Sequence, residues 1–370
     1  MDFFDCLKRQ PGPQIAALEQ LRASARPVFI YGAGVYAYVL LGYLRALGLH
    51  VQAFAVDAEH RKSEQSHGLP LYALESCSAG MLKGGAWVVG ITDYNPASAR
   101  LRAVGVLDPL VIDVPDFLNM PSAFVDWAYV ERHRVVLQEA FESLADDLSR
   151  RTFIAALNAK LNHDAAFLAD VVRPDHLYFW RSECPLGTQE CLLDVGGFDG
   201  DSLRDFHRIT DGQYHGILSL EPFPGSYAEL QCVASTLDPE GRRIRTLPYG
   251  AWDERTRLPM ATREMNIDNR IAAQGEFSIA VDTIDNLCAA AGFAPTLIKM
   301  DINGAESRAI AGARQTLRKL TPRLVSKLHV REDFFHMPLL LKDIDPSIRI
   351  RLRQRNHMSM MLVLSASHED

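Results

Sequence analysis

Two stretches of this sequence place carboxylates and glycines where the main chain must come close to something. In LLDVGGFDGDS, Leu192 to Ser202, an apolar run ends in Asp194 and turns through Gly196, Gly197 and Gly200 into a helical pattern. Glycines let a ligand approach the backbone, and the unsatisfied N–H groups that open a helix favour a carboxylate or phosphate there. Glu221 closes the next apolar run, 21 residues after Gly200. An acidic side chain at that spacing can accept hydrogen bonds from both hydroxyls of a ribose. Taken alone, the same residues are also compatible with a plain turn and a solvated glutamate.

The second stretch is LIKMDINGAE, Leu297 to Glu306, an apolar run ending in Asp301 and followed by Gly304 at the start of a helix. In doubly wound sheets ligands bind beyond the carboxyl ends of the strands, so Asp194, Glu221 and Asp301 should converge on one cleft. His329 ends the run Leu324 to Leu328 and belongs to the same edge. Its unperturbed pKa near neutrality suits it to accept a proton from a substrate hydroxyl. A packed histidine would look no different in sequence.

Those residues need strands and helices to hold them. Strand-like runs at Cys191–Val195, 217–221, Ile244–Leu247, Leu297–Met300 and 324–328 alternate with helical patterns, which implies a parallel sheet. Two extended runs, 348–353 and 360–365, share a link too short for a crossover helix and should pair as an antiparallel hairpin. A parallel sheet closed by a reversed strand is the outline of a methyltransferase.

An earlier series has the same character, with strands expected at Val28–Tyr31, 50–57, within 68–75, at 87–92 and at 110–114. Between the two series, from Asp116 to about Val172, the pattern changes, and from Leu137 to Val172 apolar residues recur at helical spacing without Gly or Pro interruption, which reads as a helical bridge. The expected organisation is α/β: a Rossmann-like domain over 1–118, a helical linker over 119–175 and a second doubly wound domain over 176–370.

Composition narrows the classes. Hydrophobic residues at 48 % and charged residues at 23 % are ordinary globular values, and no run supplies the roughly 20 apolar residues of a membrane span. The N-terminus has no basic stretch followed by an apolar core and cleavage site, so a cytoplasmic protein is expected. A net charge of −7, with both signs interspersed, offers no basic face for nucleic acid. Six dispersed cysteines without a CxxC pair (Cys6, Cys77, Cys184, Cys191, Cys232 and Cys288) read as reduced thiols. Asp199 and Asp201 fit turn and helix-start positions better than a metal cluster, so no metal is expected.

Four ordered blocks resemble the FkbM-type S-adenosylmethionine-dependent methyltransferases: Asp194 to Gly200, EPFPGSYAEL from Glu221 to Leu230, IKMDINGAE from Ile298 to Glu306, and KLHV from Lys327 to Val330. Leu144 to Arg150 also looks like a segment that precedes the catalytic domain in longer members, so the resemblance spans about residues 130–366. It implies a class I methyltransferase fold with a reversed last strand and S-adenosylmethionine held by Asp194, Gly196, Gly197, Phe198, Asp199, Gly200, Ser202, Glu221 and Pro222. PYGAWDE, Pro248 to Glu254, resembles the segment lining the adenine pocket and nominates Gly250, Ala251 and Trp252. Asp301 and His329 become the catalytic candidates, and the expected reaction is O-methylation of a sugar, glycan or secondary metabolite. Asn303 stands where the family usually carries glutamate, which puts any metal or charge role of that position in doubt.

YGAGVYA, Tyr31 to Ala37, meets a dinucleotide fingerprint with Gly32, Gly34 and, closing the next strand, Asp57. The stretch from Phe54 to Glu75 resembles the N-terminal domain of nucleotide-sugar-modifying acetyltransferases, where this turn contacts a nucleotide-sugar. Two rival readings follow: an NAD(P)-dependent oxidoreductase, and a non-catalytic module that binds nucleotide or nucleotide-sugar. The first lacks a visible Tyr-x-x-x-Lys set. The expected partners are a small-molecule or glycan substrate, and a homo-oligomer is compatible with all three readings.

Overall fold

The computed structural model describes residues 2–10, 12–114, 124–180, 185–261, 270–271 and 277–368. The chain opens with α1 (Pro13–Ala23), β1 (Val28–Tyr31), α2 (Val35–Ala46), β2 (Val51–Val56), β3 (Gln65–Ser66), β4 (Leu69–Ala73), α3 (Ala79–Gly84), β5 (Ala86–Val89) and α4 (Tyr94–Ala103). The strands form a sheet in the order β3-β4-β2-β1-β5, parallel except for the short β3. β1 is buried along its whole length, as a strand covered on both faces must be.

The strand expected over 110–114 is reduced to one bridge, between Leu110 and Val88. A side chain takes the place of a partner strand: Asp113 N–H donates to Gln14 Oε1 at 2.8 Å and Gln14 Nε2 donates back to Asp113 O at 3.0 Å. The backbone is thereby satisfied without a ladder. The expected division at 118/119 and Cys184 lie outside the described residues.

The bridge resolves into α5 (Trp127–Arg132), α6 (Arg134–Glu142) and α7 (Asp147–Asn162), the last capped by Asp146, whose carboxylate accepts from Ser149 N–H. These helices do more than connect. Leu137, Phe141, Phe153 and Leu157 share one buried core with Leu193, Ile298, Ile350 and Leu352 of the second sheet.

The second half contains β6 (Cys191–Val195), α8 (Asp201–Ile209), β7 (Gly216–Leu220), α9 (Pro224–Leu237), β8 (Ile244–Leu247), β9 (Gly250–Ala251), β10 (Thr256–Ala261), β11 (Arg270–Ile271), β12 (Phe277–Asp282), α10 (Ile284–Ala291), β13 (Leu297–Met300), α11 (Glu306–Ala311), α12 (Arg314–Leu320), β14 (Arg323–Lys327), α13 (Asp333–Ile344), β15 (Arg349–Gln354) and β16 (Leu362–Ser367). Seven strands form the sheet β15-β16-β14-β13-β6-β7-β8, parallel except for β16, which is antiparallel to both neighbours. This is the class I methyltransferase arrangement with the reversed last strand and the expected hairpin. A small sheet, β11-β10-β12-β9, stands beside it and was not foreseen. Among the described residues no helix is long and apolar enough to cross a membrane.

Candidate active site

The order β6-β7 and β6-β13 makes β6 the centre of the sheet, so the turns after β6, β7 and β13 meet at one edge. Asp194, fully buried, has Ser219 of β7 and Lys299 of β13 in register beside it. Ser219 Oγ donates to Asp194 Oδ2 at 2.7 Å, and Lys299 Nζ lies 3.0 Å from Oδ1. The ammonium also donates to Gly196 O at 2.6 Å. Burial works against the Lys299 charge, but Asp194, followed by Asp301 and Asp201, raises its pKa above the ordinary value. Asp194 therefore braces the glycine turn from beneath.

The turn is tight for internal reasons as well. Gly196 (φ +86°) and Gly200 (φ +87°) are left-handed, and Phe198 adopts the same region at φ 46°. A Cβ on Gly196 would stand 2.2 Å from Asp301 O, and one on Gly197 would stand 2.3 Å from Ser219 Oγ. The side on which a Cβ would stand is thus filled by neighbouring protein atoms, while the Gly196 backbone lines a cavity beside it. The matching turn after β13 is strained likewise, with Asn303 at φ 56° and Gly304 at φ 94°.

Between the turns lies a cavity of about 310 Å³. It is lined by the sequence-predicted Gly196, Phe198, Ser202, Glu221, Pro222, Gly250, Ala251 and Asp301. Glu221 Oε2 accepts from Phe198 N–H at 3.0 Å and Oε1 accepts from Phe223 N–H at 2.8 Å, so the end of β7 and the glycine turn are locked together. Burial pushes its pKa up to about 7 against the opposing pull of those two N–H groups. Apolar Leu220, Pro222, Ala251, Met260 and Ile279 form the wall on that side.

Asp301 holds the other side. Tyr178 Oη donates to its Oδ2, and His329 Nε2 lies 3.0 Å from Oδ1. Burial would raise the Asp301 pKa, yet Lys327, His329 and Lys299 overcome it and hold the carboxyl well below the usual range.

His329 sits between two carboxylates. It does not line the cavity; its ring stands behind Asp301, with Nδ1 2.8 Å from Glu306 Oε1. Burial alone would depress its pKa, but Glu306 and Asp301 push it up to about 10. A histidine already charged at neutral pH has no free lone pair with which to take a proton. Its geometry is that of a clamp on two carboxylates.

Among the described residues, Asp301, Glu306 and His329 are the group whose ligating atoms, all within 4.8 Å of one another, could hold a metal ion. The Glu306 oxygens also accept from Ile302 N–H and Gly304 N–H, each at 2.8 Å.

Several expected site residues stand outside the cavity: Asp194 below it, Gly197 and Gly200 packed against Ser219 and Val233, and Asp199 capping Asp201 N–H. Trp252 packs against the cluster of Met260, Ile279 and Val281 without lining the cavity, with the Arg308 guanidinium 5.5 Å from its ring centroid. Sequence reasoning passed over Lys299 and Lys327, which line the cavity from within two recognised blocks. Register would have found Lys299, because it is the β13 neighbour of Asp194. Tyr178 carried no signal, since it lies in an unpatterned stretch before β6.

In the first domain, Gly32 (φ +117°) is required because a Cβ would meet Gly90 O at 2.6 Å, whereas Gly34 faces open space. Asp57 is occupied: Tyr31 Oη donates to it at 2.5 Å and Arg100 Nε at 2.7 Å. Val35, the first residue of α2, lines the cavity described above.

Residues 194–348 match the family model described as methyltransferase FkbM domain. No curated protein sequence matches the chain. Among solved structures, the chain is similar to the methyltransferase FkbM from Methylobacillus flagellatus, with a TM-score of 0.65 and 23 % identity over 96 % of this chain and 94 % of that one. Identity at that level speaks for the fold. A fibrillarin/Nop5p complex (TM-score 0.32, 13 % identity, 49 % of this chain and 74 % of that one) and an O-methyltransferase from Bacillus cereus (0.30, 10 %, 49 % and 75 %) are more distant. Asp194, Glu221, Asp301 and His329 all fall inside the span that matches the methyltransferase FkbM domain.

Proposed function

We propose that this protein transfers a methyl group from S-adenosylmethionine to a hydroxyl of a sugar, a glycan or a secondary metabolite. The observation that carries the reading is Glu221: a buried carboxylate at the end of β7, fixed by two backbone N–H groups and lining the cavity beside an apolar wall. A ribose needs such an acceptor for its hydroxyls, and an adenine ring suits the wall of Leu220, Pro222, Ala251, Met260 and Ile279. The residues present therefore fit the nucleoside of the donor.

When bound, the donor supplies an activated methyl group on a sulfonium, so the protein's task is largely to position the acceptor for in-line attack. Glu221 orients the ribose. Lys299 and Asp194 hold the glycine turn in register with β13. Asp301, kept ionised by Lys327, His329 and Lys299, accepts a hydrogen bond from the acceptor hydroxyl and fixes the direction of its lone pair. It takes up the hydroxyl proton for release to solvent as the methyl–oxygen bond forms and the methyl–sulfur bond breaks, leaving the donor as a neutral thioether. The first-domain turn lends less support to a nicotinamide cofactor, because Asp57 is already engaged by Tyr31 and Arg100.

The test is to incubate the protein with methyl-labelled S-adenosylmethionine and a panel of UDP-sugars and hydroxylated metabolites. Label appearing as a methyl ether, and lost in Asp301→Ala, is the expected result. Transfer only to nitrogen or carbon, or undiminished transfer by Asp301→Ala, would overturn the assignment of oxygen or of Asp301.

A further inference from the structure

Asp301 has two oxygens and two different keepers. Oδ1 is tied to His329, which stands behind the carboxylate and outside the cavity. Oδ2 is tied to the phenol of Tyr178, which lines the cavity itself. The tyrosine is buried at 9 % exposure and comes from the stretch between α7 and β6, outside the span that matches the methyltransferase domain. Its ring lies 5.3 Å from Lys299 Nζ, so the residue also rests on the ion pair that braces the glycine turn.

A carboxylate held at one oxygen can still rotate about its last torsion, which is broad and roughly two-fold. Held at both, it presents its remaining lone pairs in one direction. We propose that Tyr178 is a positioning residue: its hydroxyl fixes the plane of the Asp301 carboxylate so that a lone pair of Oδ2 faces the point of methyl transfer. No bond to Tyr178 forms or breaks. Burial and the neighbouring Asp301 charge raise its pKa well above the ordinary value, so the phenol stays a donor across the working range. This proposal rests on the methyltransferase reading above.

An acceptor-independent probe exists in sinefungin, a donor analogue carrying an ammonium where the donor carries its methyl. A correctly aimed Asp301 gives that ammonium a charge-assisted hydrogen bond that S-adenosylhomocysteine cannot make. Sinefungin should bind the unmodified protein about tenfold more tightly than S-adenosylhomocysteine, the scale of one hydrogen bond to a charged group. Tyr178→Phe, which removes one oxygen and keeps the ring, should erase most of that margin while leaving S-adenosylhomocysteine affinity unchanged. Asp301→Asn should erase the margin as well, and the margin lost in the double variant should be no larger than in either single variant, because both act through one contact.

A retained margin in Tyr178→Phe, or additive losses in the double variant, would overturn the proposal. Parallel weakening of both ligands, with a lowered melting temperature, would make Tyr178 a packing residue and also overturn it; Tyr178→Met then separates lost ring packing from the lost hydroxyl. If neither ligand binds the unmodified protein, the methyltransferase reading itself fails.

Discussion

Glu221 is poised between its two protonation states at neutral pH. In the unfolded chain it ionises near 4.5, whereas burial in the fold pushes it up to about 7. Between those values the folded protein retains a proton that the unfolded chain has released, so this group's contribution to stability is fullest below 4.5 and declines as pH rises through 7. Asp333, likewise pushed up to about 7 by burial, adds to the slope. Glu221→Gln should therefore flatten the fall in melting temperature between pH 5 and pH 8, leaving the shares due to Asp333, Asp113 and His329. A profile unchanged by the substitution would mean that Glu221 is not the buried acid described here. His329 runs the same way at higher pH: its raised pKa gives a benefit that is full below about 6.5 and is lost as pH rises through about 10.

At the scale of elements, the turn from β6 to α8 is where local sequence and tertiary packing meet. Gly196→Val places a branched side chain at φ +86° and 2.2 Å from Asp301 O, so it must part β6 from the turn after β13. Loss of S-adenosylmethionine binding in titration calorimetry, with the first domain still folded by near-ultraviolet dichroism, is the expected outcome; intact binding would contradict the site. The blocks around Asp194, Glu221 and Asp301 were legible because apolar runs ending in a carboxylate report both a strand and its carboxyl end. The four strands β9 to β12 were not, because two of them are only two residues long and β10 carries Pro259. The strand expected over 110–114 failed for a different reason: a distant side chain, Gln14, satisfies the backbone that a neighbouring strand would otherwise have paired. His329 shows the limit of residue type as evidence of role. Its place at the end of β14 was readable, but the two carboxylates that keep it charged come from other elements.

Across the whole molecule the two α/β sheets are not independent. Met358 and Met360, in the link between β15 and β16, are buried in the core of the first domain, and Ser359 N–H donates to buried Asp113 at 3.0 Å. Val35 of the first domain reaches the cavity of the second, so that cavity is built by both. Such long-range pairing leaves no mark in local periodicity, which is why the sequence reads as two domains and a bridge. The central claim concerns that shared cavity, and titration calorimetry of the full chain with S-adenosylmethionine, S-adenosylhomocysteine and NADH, repeated on Glu221→Ala, addresses it most directly. Micromolar binding of both sulfur compounds, weakened by Glu221→Ala and absent for NADH, is the predicted result. Binding of NADH alone, or binding of the sulfur compounds indifferent to Glu221→Ala, would contradict it.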